Sequence, residues 1–204
     1  MIATADMNVV VMTPPAVEPV SLAELKLHCR VDHTEEDTLL SSLITTARMR
    51  VEKFLGRTLI TTGLAATADT WPLSCDDYFH AIIVPMPPLI SVTLITYTDL
   101  SSGAATTLAS SEYVVDTYST PGRIVPAYNV VWPSTRTKPN SVIIAYTAGY
   151  GTTAASVPDP IRTAIKIDAA DLYRNRETNI TGTIVAELPG GVQDLLSMYR
   201  VYEV

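Results

Sequence analysis

A stretch at residues 38–58 decides how the chain begins to fold, and it reads TLLSSLITTARMRVEKFLGRT. Its apolar residues recur every three or four positions, which is the period of one helix face. They are Leu39, Leu40, Leu43, Ile44, Ala47, Val51, Phe54 and Leu55. The charged residues lie mostly off this stripe, and Gly56 is typical of a helix stop. The stretch therefore predicts one long amphipathic helix.

A shorter helix is predicted just upstream, ending near Arg30. Ser21 and Glu24 have the spacing of a capping box, with Val20 and Leu25 as the accompanying hydrophobic staple. The long helix is expected to begin at an Asp32 or Thr34 cap. Its first turn would then hold the acidic residues 35–37, where the helix dipole favours negative charge. The result is a pair of antiparallel helices joined by a tight turn.

From residue 58 to 151 the sequence changes to Thr, Val, Ile and Tyr punctuated by Pro and Gly. Residues 91–98 alternate as a strand does, which predicts Val92 and Leu94 on one face and Ile95 on the other. Further strands are predicted at 112–116, 123–125 and 141–147. This region is expected to be an antiparallel unit of about five or six strands.

Helical signals return after this region. Asp159 is the predicted cap of a helix with Pro160 in its first turn, and its mid-helix Asp168 requires a partner. Residues 176–187 are predicted to be a loop. A last short helix follows Gly190-Gly191, with an apolar stripe through Val192, Leu195, Leu196, Tyr199 and Tyr202.

These elements predict an α+β fold in which a helical bundle carries an inserted antiparallel β unit. The bundle would comprise the N-terminal helix pair and the C-terminal helices, at residues 20–57 and 158–204. The β region would span 58–157, and residues 1–19 would form an extended N-terminal arm.

Composition and charge restrict the function. Hydrophobic residues make up 47% of the 204 residues and the net charge is −7, without a basic stripe. Tight binding to a nucleic-acid backbone is therefore not expected. No signal peptide is recognised, and prolines interrupt the most apolar stretch, residues 81–90. The expectation is a soluble protein made in a cytoplasm, with no membrane partner.

The residue types that carry chemistry do not converge by spacing. Among His28, Cys29, Asp32 and His33, only His28 and Asp32 share a helix face, and two ligands do not close a zinc site. Cys75 and His80 lie five residues apart in a predicted loop, beside acidic residues that would raise a thiol pKa. No catalytic residue, cofactor or metal is expected.

Several strings resemble the head–tail connector family of tailed phages, whose members are also called adaptors or head-completion proteins. They are VSLAELK at 20–26, CRVD at 29–32, VEKFLGRT at 51–58, YTAGYG at 146–151, VP at 157–158, LYRNR at 172–176 and LPGGV at 188–192. Their order and spacing are more specific than any one of them, and they cover both helical parts and the end of the β region.

The resemblance implies a non-enzymatic virion protein of the phage neck, assembled in the host cytoplasm. It would form a homo-oligomeric ring of about a dozen subunits under the portal protein. The ring would bind a stopper or tail-completion protein and form part of the channel through which genomic DNA passes without sequence-specific binding. The acidic balance fits such a conduit, because acidic walls repel phosphates.

The family's C-terminal helix commonly docks on the portal, which makes the candidates Leu195, Leu196, Tyr199, Arg200 and Tyr202. An apolar stripe with one Arg also suits an anchor helix in a groove. The same stripe is equally typical of a helix that packs on its own subunit.

Two other functions remain open. Trp71 and Trp132 in the β region allow a carbohydrate- or receptor-binding module of a tail accessory protein, although aromatic residues in sheets are more often core. The third hypothesis is an enzyme with dispersed catalytic residues.

Overall fold

The computed structural model describes residues 7–74, 80–175, 188 and 190–201. The chain is α+β with antiparallel sheets and divides into two units. The β unit comprises the described residues of 1–15 and 61–149. The helical unit comprises those of 16–60 and 150–201.

The described part of the helical unit contains four helices: α1 at Leu22–Cys29, α2 at Asp37–Leu55, α3 at Asp159–Arg174 and α4 at Gly190–Leu196. Their buried faces form one apolar core, which includes Leu25 of α1, Leu40 and Ile44 of α2, Ile165 of α3 and Leu196 of α4. The predicted stripe of the long helix supplies much of this core.

The predicted capping box of α1 is confirmed. The Glu24 N–H donates to the Ser21 hydroxyl, and the Ser21 N–H donates to the Glu24 carboxylate. Arg162 of α3 also binds Glu24 and donates to the Pro19 carbonyl. The box therefore anchors α3 as well as starting α1.

The predicted start of α2 is wrong by a few residues. Thr34, Glu35 and Glu36 form a turn whose Thr34 carbonyl accepts the Asp37 N–H. The helix begins only at Asp37, and neither Asp32 nor Thr34 caps it. Asp37 binds Lys26 at 2.7 Å. Asp37 therefore makes a tertiary ion pair as well as placing negative charge in the first turn of α2.

The start of α3 is also displaced by one residue. Pro158 occupies the cap position and Asp159 is the first helical residue, with Pro160 following it. Asp159 makes no cap hydrogen bond and instead accepts a hydrogen bond from Arg162, one turn on.

The described part of the β unit contains eight strands, more than the predicted five or six. They are β1 at Asn8–Thr13, β2 at Thr62–Ala68, β3 at Ile82–Ile83, β4 at Leu89–Thr98, β5 at Ala105–Thr107, β6 at Tyr113–Asp116, β7 at Arg123–Pro126 and β8 at Val142–Ala148. Strand β1 lies within the residues expected to form the N-terminal arm.

The strands make two antiparallel sheets. The larger has the order β1-β2-β8-β4-β5 and the smaller β3-β7-β6. Their shared core contains Leu64, Ile95, Ile124, Ile144 and Tyr146, among others. Only one face of the larger sheet contributes to this core, as an antiparallel sheet permits.

The strict alternation predicted for residues 91–98 is wrong. The register of β4 against β8 shifts between Val92 and Leu94, so Val92 pairs with Tyr146 while Leu94 pairs with Ala145. One extra residue moves the following side chains to the opposite face. Val92 therefore packs on the core with Ile95, and Leu94 is exposed.

Candidate assembly surfaces

The string Val51–Thr58, which carried part of the family resemblance, forms a structural junction at the end of α2. The Glu52 carboxylate accepts the Leu59 N–H at 2.9 Å through Oε1 and the Arg48 guanidinium at 2.7 Å through Oε2. Arg48 also binds Glu18 at 2.7 Å. Burial raises the pKa of Glu52, and the Leu59 N–H and Arg48 oppose that rise.

The junction also holds the C-terminal segment. Gly56 caps α2 in the left-handed conformation at φ 63°, which glycine adopts without steric cost. Beyond it, Arg57 donates to the Tyr199 carbonyl, and the Val201 N–H donates to the Leu55 carbonyl at 2.8 Å. The end of α2 therefore fixes the position of the residues that follow α4.

The predicted portal-docking residues do not share one environment. Leu196 is fully buried in the core of the helical unit, and Tyr199 packs partly against that core. Leu195 is 37% exposed. Arg200 is exposed, with its guanidinium 4.7 Å from the centre of the Phe54 ring. Tyr202 lies outside the described residues.

Sequence reasoning missed Met198, which is 84% exposed on the helical turn Ser197–Tyr199. Met198 could have been recognised from its position three residues after Leu195, because residues at that spacing are neighbours on a helical surface. The outward apolar surface here is formed by Leu195 and Met198, while Leu196 faces the core of its own subunit.

Asp168 is fully buried within α3, and its predicted need of a partner is met by Arg50 of α2, whose Nη1 lies 3.2 Å from Asp168 Oδ1. Neither carboxylate oxygen has a hydrogen bond of good geometry. Burial raises the pKa of Asp168 to about 6, although Arg50 opposes the rise. The Arg50–Asp168 pair therefore links α2 and α3 inside the helical unit.

Asp168→Asn should change the pH dependence of stability. Because the folded pKa is raised from 3.8, Asp168 favours folding below about pH 4, and this contribution is lost as pH rises through about 6. The shift corresponds to about 3 kcal/mol. We expect the unfolding free energy of the variant, relative to wild type, to rise by about that amount between pH 4 and pH 7.5. Urea unfolding followed by helical circular dichroism measures it, and a pH-independent difference would contradict the assignment.

The described residues contain no group of three or more His, Cys, Asp or Glu side chains that could hold a metal ion. His33 lies 3.0 Å from Glu35, on an exposed turn. Burial raises the pKa of the Cys29 thiol, which opposes thiolate chemistry. Cys75, which the sequence places five residues before His80, lies outside the described residues.

The two tryptophans behave as part of the core of the β unit. Their rings stack on each other with centroids 4.8 Å apart, and Trp71 also contacts Tyr97. The indole N–H of Trp71 donates to the Pro133 carbonyl and that of Trp132 to the His80 carbonyl. Both indole N–H groups therefore donate hydrogen bonds within the β unit. This arrangement gives no specific support to a sugar-binding platform.

Among the described helices, none is both long and apolar enough to cross a bilayer.

Comparisons with known proteins agree with the resemblance noted in the sequence. Residues 19–98 match the model of the family described as "Phage gp6-like head-tail connector protein". No curated protein matches the chain significantly.

Solved structures share the fold over nearly the whole chain. A chain in the "Virion of native gene transfer agent (GTA) particle" is 23% identical with a TM-score of 0.77, and 97% of each chain is covered. A chain in the "Neck of empty GTA particle computed with C6 symmetry" is likewise 23% identical with a TM-score of 0.75 and 97% of each chain covered. A chain in the "Neck of native GTA particle computed with C12 symmetry" has a TM-score of 0.71 at 23% identity, covering 98% of this chain and 97% of that one.

The matched residues include α1, α2 and the junction at the end of α2, where Glu52 accepts the Leu59 N–H and Gly56 caps the helix. Residues 19–98 are thus similar to the phage gp6-like head–tail connector family, and the chain shares its fold with chains of GTA neck and virion particles.

Proposed function

We propose that this chain is a structural connector of the virion neck that assembles into a ring and joins the head to the tail. The observation that carries the proposal is the family match over residues 19–98, extended by a fold shared with neck chains across 97% of both lengths. In this role the four helices form the connector bundle and the β unit is carried as an insertion.

A ring of about a dozen copies is the assembly we propose, since closed cyclic symmetry is the common outcome of head-to-tail contacts. The related neck chains come from particles analysed with C6 and C12 symmetry, which is compatible with that number. The ring would sit under the portal protein and contact a stopper or tail-completion protein below.

Genomic DNA would pass through the ring without sequence-specific binding. The net charge of −7 supports this role, because acidic surfaces repel phosphates and do not retain the duplex. No enzymatic step is part of this proposal.

The test of the neck assignment is deletion of the chain from its particle. We expect DNA-filled heads that lack attached tails, and density for a ring of this chain below the portal in complete particles. Tailed particles with unchanged infectivity would overturn the proposal.

We also propose that the outward apolar surface of Leu195 and Met198 docks on the portal. Leu195→Asp and Met198→Asp should each weaken portal binding at least tenfold, since a charge placed in a desolvated contact is strongly unfavourable. The measurement is titration of the portal with the folded variants. Leu27→Asp is the matched control, because Leu27 is 82% exposed on α1. Wild-type affinity in both test variants would refute the docking surface.

A further inference from the structure

We propose that the larger sheet joins subunits edge to edge, with the free edge of β1 in one copy pairing with the free edge of β5 in the next. This inference rests on the proposed ring and names one contact that would build it. It concerns β1 and β5, both of which lie outside the family match over residues 19–98.

Among the described residues, β1 is an edge strand of the larger sheet and pairs only with β2. Its sequence, NVVVMT, carries no charge and no proline, which are the usual devices that prevent edge pairing. Val9 packs against the core of the β unit, but Val10, Val11 and Met12 are 45%, 57% and 67% exposed. A register shift against β2 occurs only after Val11, and Asn8–Val11 pair regularly. Such an edge is suited to accept another strand.

Strand β5 provides a matching edge on the opposite side of the same sheet. Ala105–Thr107 pair with β4 on one side and are the last strand on the other. The segment is also uncharged, so no repulsion opposes its approach to β1. Each copy therefore offers one uncharged edge at each end of the sheet.

The direction of the strands favours a head-to-tail contact. Every neighbouring pair in the five-stranded sheet is antiparallel, so β1 and β5 run in the same direction. A rotation that carries one copy to the next places β5 beside β1 as a parallel pair. This contact uses two different edges, and heterologous contacts of that kind form a ring when the rotation between neighbours closes. Pairing of β1 with β1 would instead give a closed dimer.

The strand pair would form only part of the interface. Strand β5 has three residues, which limits the number of ladder hydrogen bonds. A stable interface buries on the order of 1,200 Å² or more in total, so other surfaces of the subunits must contribute. The role of the edge pair is to fix the register between neighbours.

Disulfide trapping tests the pairing. In a full-length chain with Cys29→Ser and Cys75→Ser, Val11→Cys is combined with Ala105→Cys, Thr106→Cys or Thr107→Cys in turn. Under conditions where the wild type forms rings by native mass spectrometry, at least one combination should give a ladder of covalent oligomers on non-reducing gels. Each single-cysteine chain should remain monomeric on the gel, and mixing the two single-cysteine chains should give dimers only.

The outcomes separate this inference from the proposed ring. Rings that give no ladder with any of the three combinations overturn the edge pairing and leave the ring standing. Covalent dimers from Val11→Cys alone overturn the head-to-tail arrangement. A wild type that remains monomeric at all concentrations and with portal present overturns the ring itself, and the edge pairing with it.

A second variant gives the same test without cross-linking. Val11→Lys supplies the charge that protects natural edges, and we expect at least a tenfold increase in the concentration needed for ring formation. Leu27→Lys is the control, because it places the same charge at an exposed apolar position of the helical unit. Equal assembly by Val11→Lys and the control would contradict the proposal.

Discussion

Arg50→Met should lower the free energy of unfolding by about 2 kcal/mol at pH 7.5, because Asp168 then either stays charged without its partner or takes up a proton against a pKa of about 6. Arg50 provides the cation at 3.2 Å from Asp168, which has no exposed surface. Methionine retains the apolar stem of arginine and removes only the charged group. The measurement is urea unfolding, with the change in midpoint at constant slope reporting stability.

The effect should depend on pH and on Asp168 itself. At pH 5, below the raised pKa of about 6, a neutral Asp168 no longer needs Arg50, so the loss should shrink. Adding Asp168→Asn to Arg50→Met should recover most of the stability at pH 7.5. Lys53→Met is the matched control, because Lys53 is exposed on the same helix. An equal loss in Lys53→Met, or no rescue by Asp168→Asn, would contradict the pairing.

Glu52→Ala should destabilise the helical unit by about 3 kcal/mol, because two buried groups lose their acceptor at once. The Leu59 N–H loses its partner, and Arg48, with only 10% of its side chain exposed, keeps Glu18 alone. Thermal and urea unfolding monitored at a helical wavelength give the value.

Glu52→Gln separates the two contributions. The amide oxygen can still accept the Leu59 N–H, so this variant should lose less stability than Glu52→Ala. Glu35→Ala serves as the control for removing a carboxylate, since the Glu35 side chain is 77% exposed. If Glu52→Ala is no more destabilised than Glu35→Ala, the junction at the end of α2 does not depend on Glu52.

The helices were predictable because their signals are local. The capping box at Ser21 and the glycine stop at Gly56 depend on residues within one turn, and both are confirmed. The start of α2 was not predictable, because Asp37 is bound by Lys26 from another helix. A cap that competes with a long-range ion pair cannot be located from the local sequence.

The β unit was less predictable. Strand β2, TGLAATA, has few of the β-branched and aromatic residues that indicate a strand, and it is stabilised by neighbours on both sides. Strand β1 has the β-branched residues but lies in a stretch interpreted as an arm. The bulge in β4 depends on its pairing with β8. The alternation of residues 91–98 alone therefore could not predict that Leu94 is exposed.

The sequence by itself determined the α+β composition, the long amphipathic helix, and the ordered motifs that resemble the connector family. The tertiary structure decided which surfaces are available for assembly. It buried Leu196 of the predicted docking stripe and exposed Leu195 and Met198, and it made β1 and β5 the two edges of one sheet. The physical reason is range: helix periodicity and caps are set by residues one turn apart, whereas burial and sheet edges are set by segments far apart in the chain.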